Sequence, residues 1–339
     1  MANRWKRRPE GSNWGDFGPD DELGRLNLLT PERVLAAVRE VRSGRSFCLS
    51  LPLDLPGGNL LNPNRFPPER HVRTRKEGRS AINYPLNLEN PDYGDVVSDD
   101  AVTLYTQYST QWDGLCHVGH HFDADGDGVA EPLYYNGFRP GADVLAPQDE
   151  GGPAARRLGI EKMAATGVQG RGVLVDLHAH LGRERTLVGY EQLMKVMEAD
   201  GVVVEEGDML CLHTGFGQML MEMDGRPDAE RLHNSCAALD GRDERLQRWI
   251  TESGIAVLVA DNYAVEAFPN AAAGGGCCAA LPLHELCLFK LGIHLGELWY
   301  LTELAAFLRA EKRSRFLLTA PPLRLPGSFG SPLTPVATV

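Results

Sequence analysis

The segment from Gln107 to His117 reads Gln-Tyr-Ser-Thr-Gln-Trp-Asp-Gly-Leu-Cys-His and contains an unusual spacing of polar side chains. Two amides, a carboxylate and an imidazole share one parity: Gln107, Gln111, Asp113 and His117. In an extended strand, residues two apart face the same side. Because buried polar groups need partners, and one divalent ion can satisfy several, the spacing predicts a metal site. The alternative is a polar stripe that faces solvent on an edge strand.

The chain after Gly172 alternates between strand-like and helix-like patterns, which predicts an α/β fold class. Strands are predicted at 173–177, 209–213, 255–260 and 316–319, and helices at 190–199 and 243–253 and around residues 304–308. An earlier strand is predicted at 101–107, next to the polar segment. The pattern shows no internal repeat, so these elements are expected to share one core.

The ends and loops complete the predicted organisation. Thr30-Pro31 begins an N-terminal helix that is expected to end by Gly44. We predict one domain over residues 1–339, with a helical extension at 1–45. The stretches 57–93 and 144–159 lack periodicity and are predicted to be long surface loops. No catalytic group is expected in the first of these loops.

The composition excludes several classes of partner. Lys+Arg 34 against Asp+Glu 46 gives a formal net charge of −12, so no surface that neutralises nucleic-acid phosphates is implied. No apolar run approaches the roughly 18 residues of a membrane span, and the N-terminal residues do not resemble a secretory signal. The seven cysteines favour reduced thiols over a disulfide framework. We therefore expect a cytoplasmic protein that acts on a small molecule, without nucleic-acid or membrane partners.

An acidic segment offers a second place for a metal ion. Asp123, Asp125 and Asp127 precede Gly128 as in the calcium loop of an EF-hand. The twelfth position is Tyr134 instead of glutamate, so a full EF-hand is not expected. A loop stiffened by calcium and a simple Asp-rich turn both stay open as interpretations.

A third candidate is His178-Ala-His180, at the end of a predicted strand, which resembles the first metal motif of the amidohydrolase barrels. Too few residues follow His180 for the strand–helix units that a barrel of about 250 residues would still need. The structural alternative is a His178 that packs beside the strand. Two weaker signals are Cys277-Cys278, a pair that could bind a soft metal, and glycines 274–276, a predicted turn.

The polar segment also resembles the signature of the metal-dependent cyclase family, which includes bacterial kynurenine formamidases and isatin hydrolases. That signature reads His-x-Gly-Thr-His-x-Asp-x-Pro-x-His. Its first two histidines fall on Gln107 and Gln111, its aspartate on Asp113 and its last histidine on His117. The later histidine and glutamate of the family match His284 in Leu-Pro-Leu-His-Glu and Glu297 in Gly-Ile-His-Leu-Gly-Glu-Leu. Other stretches, including Trp14-Gly-Asp and Tyr135-Asn-Gly, extend the resemblance over nearly the whole chain.

The resemblance implies a swivelling β/β/α architecture and a homodimer or homotetramer with the catalytic strand near a subunit interface. It implies metal ligands drawn from Gln111, Asp113, His117, His284 and Glu297. Because amide oxygens replace two imidazoles, a single ion is expected, and Mn²⁺ becomes as acceptable as Zn²⁺. His117 is the first acid/base candidate, and His121 is the second because it shares the parity of His117.

The activity implied is that of a metal-dependent hydrolase, which opens a small amide, an imide-like ring or a lactone by metal-activated water. Two alternatives stand beside it. One is an amidohydrolase-type enzyme centred on His178 and His180. The other is a non-catalytic metal- or ligand-binding relative of the enzyme, motivated by the glutamines at positions 107 and 111.

Overall fold

Helices and strands alternate through the second half of the chain in the computed structural model, which describes residues 4–268 and 279–339. The helices in these residues are α1 (Pro31–Val38), α2 (Ile160–Ala165), α3 (Leu177–Leu181), α4 (Tyr190–Asp200), α5 (Phe216–Met223), α6 (Ala229–Asn234), α7 (Glu244–Ser253), α8 (Pro282–His284) and α9 (Thr302–Ala310). A π-helix follows α8 over Glu285–Leu291, and 3-10 turns span Gly24–Leu28, Lys76–Gly78, Leu86–Leu88 and Tyr135–Gly137.

The strands of the same residues are short, with one exception. They are β1 (Ser46–Cys48), β2 (Glu69–Val72), β3 (Tyr84–Pro85), β4 (Val96–Val97), β5 (Asp100–Thr103), β6 (Gln111–Asp113), β7 (His120–Phe122), β8 (Glu131–Leu133), β9 (Val144–Leu145), β10 (Ala154–Ala155), β11 (Gln169–Asp176), β12 (Thr186–Val188), β13 (Met209–His213), β14 (Ala237–Leu239), β15 (Val257–Ala260), β16 (His294–Glu297), β17 (Arg315–Thr319), β18 (Gly330–Pro332) and β19 (Val336–Thr338).

One sheet forms the centre of the molecule. Its strands, within the described ranges, lie in the order β1-β19-β17-β11-β13-β15-β16-β6-β18. The neighbours β11, β13, β15 and β16 run parallel, whereas β6 is antiparallel to both β16 and β18. Parallel strands need crossover connections, and these bring helices onto the faces of the sheet. The predicted α/β class is confirmed.

Alternate residues of the central strands supply two hydrophobic cores on opposite faces of the sheet. Leu210 and Leu212 of β13 belong to the core that contains Leu193 of α4 and Ile250 of α7. Cys211 of the same strand belongs to the core on the other face, which contains residues of α9. The period of two in a strand produces this division, so both faces of β13 are apolar and the strand reads as one continuous hydrophobic run.

The predicted elements of the second half agree with the structure to within a few residues. The prediction for 209–213 coincides with β13, and those for 190–199 and 243–253 correspond to α4 and α7. Thr30 caps α1 as expected, since its side chain accepts a hydrogen bond from the Arg33 backbone N–H at 3.4 Å. The helix α1 ends at Val38, earlier than the predicted limit of Gly44.

The first half departs from two predictions. The strand predicted at 101–107 is β5, Asp100–Thr103, which pairs with β2 outside the central sheet. The segment 107–117 is not one extended strand, because β6 covers Gln111–Asp113 alone and the chain then turns, with the His117 N–H donating to the Gly114 carbonyl at 2.9 Å. A Cβ at Gly114 would lie 2.8 Å from the Phe329 carbonyl oxygen, so a larger residue there would require a shift of the backbone. Because the strand ends at Asp113, alternation does not predict where later side chains point.

The remaining expectations concern loops and membrane spans. The stretch 57–93 is an excursion whose strand β2 is exposed along its whole length. No helix within residues 4–268 and 279–339 is long and apolar enough to cross a membrane. The pair Cys277-Cys278 and glycines 274–276 lie outside the described residues.

The N-terminal segment packs on the end of the π-helix through a close approach of two glycines, Gly24 and Gly292. The Arg25 N–H donates to the Gly292 carbonyl at 2.8 Å, and a Cβ on Gly24 would overlap the Gly292 backbone. The Arg25 guanidinium then donates to the Ile250 carbonyl at 3.0 Å and to the Thr251 carbonyl at 2.6 Å, near the end of α7. These bonds join the 3-10 turn Gly24–Leu28 to the end of the π-helix and to α7.

We predict that Gly24→Ala lowers the free energy of unfolding by at least about 2 kcal/mol more than Gly11→Ala. Both glycines have positive φ, +58° and +72°, so both variants carry similar left-handed strain. Gly11 has open space around it, whereas Gly24 faces the backbone of Gly292. Urea unfolding followed by circular dichroism measures the difference. Equal losses in the two variants would contradict the close-packing explanation.

Candidate metal centre

The strands β6 and β16 bring the predicted ligands together at the edge of the parallel region. Gln111 and Asp113 are two residues apart in β6 and share a face, and the strand register places Glu297 of β16 opposite Gln111. His284 is the last residue of α8, and its side chain reaches the same space. Three separate parts of the chain therefore meet at one point.

Asp113, His284 and Glu297 form the core of the site. Each offers one ligand atom, and these atoms lie within 4.8 Å of one another. The His284 Nε2 atom is 3.2 Å from Glu297 Oε1 and 3.9 Å from Asp113 Oδ2. All three side chains are buried, so two carboxylates and an imidazole face each other without bulk water. Such a set of oxygen and nitrogen donors suits a divalent ion.

Gln111 lies between the two carboxylates. Its Nε2 group is 3.3 Å from both Asp113 Oδ1 and Glu297 Oε2. Two buried atoms at the same place, Gln111 Oε1 and Asp113 Oδ2, have no hydrogen-bond partner. A bound cation would satisfy Asp113 Oδ2 directly, and a rotation of the amide would present Gln111 Oε1 to the same ion. The residues present therefore fit a metal ion.

The electrostatics of the cluster follow from burial and mutual contact. Burial raises the pKa of Asp113 above its ordinary value, and Glu297 adds to this rise. Burial alone would lower the pKa of His284, but hydrogen bonds to Glu266 and Glu297 raise it to about 10. Burial would raise the pKa of Glu297, and the bond to His284 lowers it instead. The carboxylates thus stabilise positive charge in the space between them.

Glu266 holds His284 in position. Its Oε1 atom accepts from the His284 backbone N–H at 3.0 Å and contacts His284 Nδ1 at 2.9 Å, and it also accepts from the Leu283 N–H at 2.9 Å. Occupying Nδ1 in this way leaves Nε2 for the cluster, as in the carboxylate–histidine pairs of metal sites. The place of Glu266 soon after a buried strand suggested a polar site residue, but its contact with His284 was not predicted, because only the fold brings these two segments together.

His117 lies at the edge of the cluster and not inside it. Its side chain is 22% exposed, and Nε2 is 3.8 Å from Asp113 Oδ1. It lines a cavity of about 60 Å³ together with His284 and Glu297. A partly exposed imidazole beside a buried site can exchange protons with solvent, which is the property that an acid/base group requires.

His121 and Gln107 are not part of this cluster. His121 is exposed on β7. Its neighbour His120 lies closer to the core, 3.8 Å from Glu285. The Gln107 side chain accepts from the Thr106 hydroxyl at 2.8 Å. Both positions follow from the shortness of β6, since the chain turns on either side of it.

The first long loop contributes a side chain to the cavity although no site residue was expected there. Arg65 lines the wall beside His117, and its guanidinium donates to the Gln107 carbonyl at 2.7 Å. Tyr263, which follows β15, lines the same wall, and burial raises the pKa of its hydroxyl. A lone arginine in an aperiodic stretch gives no signal of its own, so sequence analysis could not single out Arg65.

The other two candidate metal motifs have different environments. Asp123, Asp125 and Asp127 lie close together, and Asp125 Oδ1 accepts from the Asp127 N–H at 3.2 Å, as in an Asx turn. His180 contacts Asp200 at 2.9 Å, whereas His178 contacts the Gly182 carbonyl at 3.0 Å. The sheet is not a closed barrel of parallel strands, so the amidohydrolase-barrel alternative is wrong.

Comparison with known proteins identifies the family and the fold of this chain. Residues 49–267 match the model of the family described as "Putative cyclase". The structure of a protein described as a novel cyclase has a TM-score of 0.76 and 31% identity, over 97% of this chain and 99% of that chain. Isatin hydrolase A from Labrenzia aggregata, bound to benzyl benzoate, has a TM-score of 0.55 and 12% identity, over 87% of this chain and 93% of that chain.

An isatin hydrolase bound to the product analogue thioisatinate is also similar, with a TM-score of 0.55 and 14% identity over 91% of this chain and 99% of that chain. The sequence matches none of the curated proteins. Fold and site together define an α/β protein with a buried carboxylate–imidazole cluster that could hold a metal ion. More particularly, the chain belongs to the Putative cyclase family, and the predicted cyclase-like architecture is confirmed.

We predict that Asp113→Ala removes stoichiometric Mn²⁺ or Zn²⁺ from the purified protein, because it deletes a ligand that β6 alone can supply. Glu266→Gln should weaken metal affinity by about 10- to 100-fold, since it loosens the orientation of His284. Elemental analysis and metal titration measure both effects. Asp123→Ala is the matched control, an aspartate of the other acidic cluster, and should leave this metal in place. Unchanged metal content in Asp113→Ala would place the ion elsewhere.

Proposed function

We propose that this protein is a metal-dependent hydrolase that opens a small amide, an imide-like ring or a lactone. The observation that carries the proposal is the buried cluster of Asp113, His284 and Glu297, with Glu266 behind it and His117 at its open side. Membership of the cyclase family supports the proposal. The isatin hydrolases that share the fold are named as enzymes of this reaction class.

The side chains divide into ligands and groups that act on the substrate. Asp113, His284 and Glu297 would hold the ion, with Gln111 as a neutral oxygen ligand. A divalent ion bound there supplies Lewis-acid chemistry, which lowers the pKa of water and polarises a carbonyl. The roles of the remaining groups follow from their places around the cavity.

His117 is the group best placed to move protons. It takes the proton from the attacking water and returns it to the leaving nitrogen or oxygen, because its ring reaches both the cluster and solvent. Arg65 is a fixed cation on the cavity wall and would orient a substrate carbonyl or the developing carboxylate. His121 remains a candidate from the sequence, and its exposure does not support a role in the same cavity.

The ligand set favours one ion of a hard or borderline type. Two carboxylates, one imidazole and one amide would suit an ion that accepts oxygen and nitrogen ligands, such as Mn²⁺ or Zn²⁺. An amide at position 111 donates less charge than an imidazole would, which argues against holding a second ion beside the first. A non-catalytic metal-binding role is the competing interpretation, and activity measurements separate the two.

We predict that metal-stripped protein regains turnover of formanilides, lactones or isatin-like rings when Mn²⁺ or Zn²⁺ is restored. His117→Ala should lower kcat by about 10²- to 10⁴-fold while metal content is retained, because the ion stays and the proton carrier is lost. His180→Ala is the control, since His180 lies on α3 in contact with Asp200. Metal binding without turnover across a broad panel would favour the non-catalytic role.

We also propose a homodimer or homotetramer in which the ribbon of β2 and β5 lies in the interface. Both strands are exposed along their whole length, and Val72 and Val102 are 60% and 52% exposed. An isolated two-stranded ribbon is marginally stable in water, so a second copy packed on it would account for its apolar side chains.

We also propose a cytoplasmic location. Unpaired cysteines, among them the buried Cys116 and Cys211, support it.

We predict that Val102→Asp shifts the protein toward monomer in size-exclusion chromatography with light scattering. A charge in a buried apolar interface is costly, whereas the same change on a free surface is nearly neutral. Val129→Asp is the matched control, because Val129 is 66% exposed and belongs to the connection between β7 and β8, not to the ribbon. A wild-type protein that is monomeric at all concentrations would overturn the oligomer proposal.

A further inference from the structure

A second cavity lies away from the metal centre. It has a volume of about 320 Å³ and is formed by β11, the end of α4, and the end of α9 with the residues that follow it. Two strands of the sheet, β13 and β15, separate β11 from β16 and its ligand Glu297. The volume falls at the lower end of the range for small-molecule sites, about 300 to 1,000 Å³. None of the proposed metal ligands lines it.

The inner wall of this cavity is apolar. Leu174 of β11, Val202 after α4, and Ala305 and Leu308 of α9 line it, and all four are buried. They extend the two hydrophobic cores to the cavity surface. A ligand with an apolar body would therefore replace water against side chains that gain nothing from hydration.

The outer wall carries three cations: Arg309, Lys312 and Arg313. Lys312 is exposed and forms no ion pair with any residue in the described ranges. The Arg313 side chain is 10% exposed, and its guanidinium is already engaged: it lies 3.6 Å from Glu40 Oε2 and donates to the Arg315 carbonyl at 3.0 Å. Among the three basic residues of this wall, Lys312 therefore keeps its donors free for a ligand.

The acidic groups of the wall are already engaged. Asp176 accepts from the Arg309 guanidinium at 2.6 Å and contacts His213 Nδ1 at 2.8 Å. Asp200 contacts His180 Nε2 at 2.9 Å. Arg309 and Arg313 are paired with Asp176 and Glu40, so the Lys312 ammonium is the group that a negatively charged ligand would neutralise here.

We propose that this cavity binds a small organic carboxylate with an apolar body. Its carboxylate pairs with Lys312, and its body packs on Leu174, Val202 and Leu308. The proposal does not depend on the hydrolase activity, because the cavity shares no proposed ligand with the metal centre.

Benzoate is the test ligand, and isothermal titration of the full-length protein is the measurement. Wild-type protein should bind benzoate and should not bind benzamide, which has the same shape without the charge. Lys312→Met should weaken benzoate binding at least 10-fold. Lys195→Met, an exposed lysine on α4 that does not line the cavity, should bind as the wild type does.

Asp113→Ala separates this cavity from the metal centre, because benzoate could also bind there. Benzoate binding that persists in Asp113→Ala and is lost in Lys312→Met supports the proposal. Binding that is lost in Asp113→Ala and kept in Lys312→Met overturns it. No binding to wild type, or equal binding of benzamide, overturns it as well. Neither result bears on the hydrolase proposal, which is tested by turnover.

Discussion

Two buried carboxylates that face each other are the constraint on which the site depends. Asp113 and Glu297 are both inaccessible to solvent, and like charges at this separation in a low dielectric repel strongly unless a cation or a proton lies between them. His284 supplies part of the compensation, and Glu266 fixes its ring. The amide of Gln111 bridges the remaining gap. The strands β6 and β16 and the helix α8 bring these groups together.

The register of the short strand β6 determines which of its side chains enter the metal centre. Trp112, between Gln111 and Asp113, points to the core on the opposite face of the sheet. Its ring packs edge to face on Trp299, with 5.1 Å between the ring centroids, and its Nε1–H donates to the Ala320 carbonyl at 2.8 Å. A slip of one residue would exchange the tryptophan and the carboxylate between core and site. The large aromatic anchor therefore fixes the register, and the register fixes the ligands.

The metal centre and the second cavity lie at different positions on the central sheet. The metal centre lies where an antiparallel strand joins the parallel region, so side chains from β6, β16 and α8 enter it from several directions. The second cavity lies between helices and the face of β11, where apolar packing ends and basic residues begin. Polar groups converge at the first place because neighbouring strands stop there, and at the second because α9 ends there.

The sequence by itself determined the fold class and the main helices and strands of the second half of the chain. Hydrophobic periodicity in the second half predicted β13, α4 and α7, because buried strands and amphipathic helices each impose a period on the sequence. Resemblance to a family pointed to Asp113, His284 and Glu297. The roles of Glu266 and Arg65, the turn that removes His121 from the cluster, and the second cavity were decided by tertiary structure alone. Each depends on contacts between residues far apart in the chain, and no local spacing records such contacts.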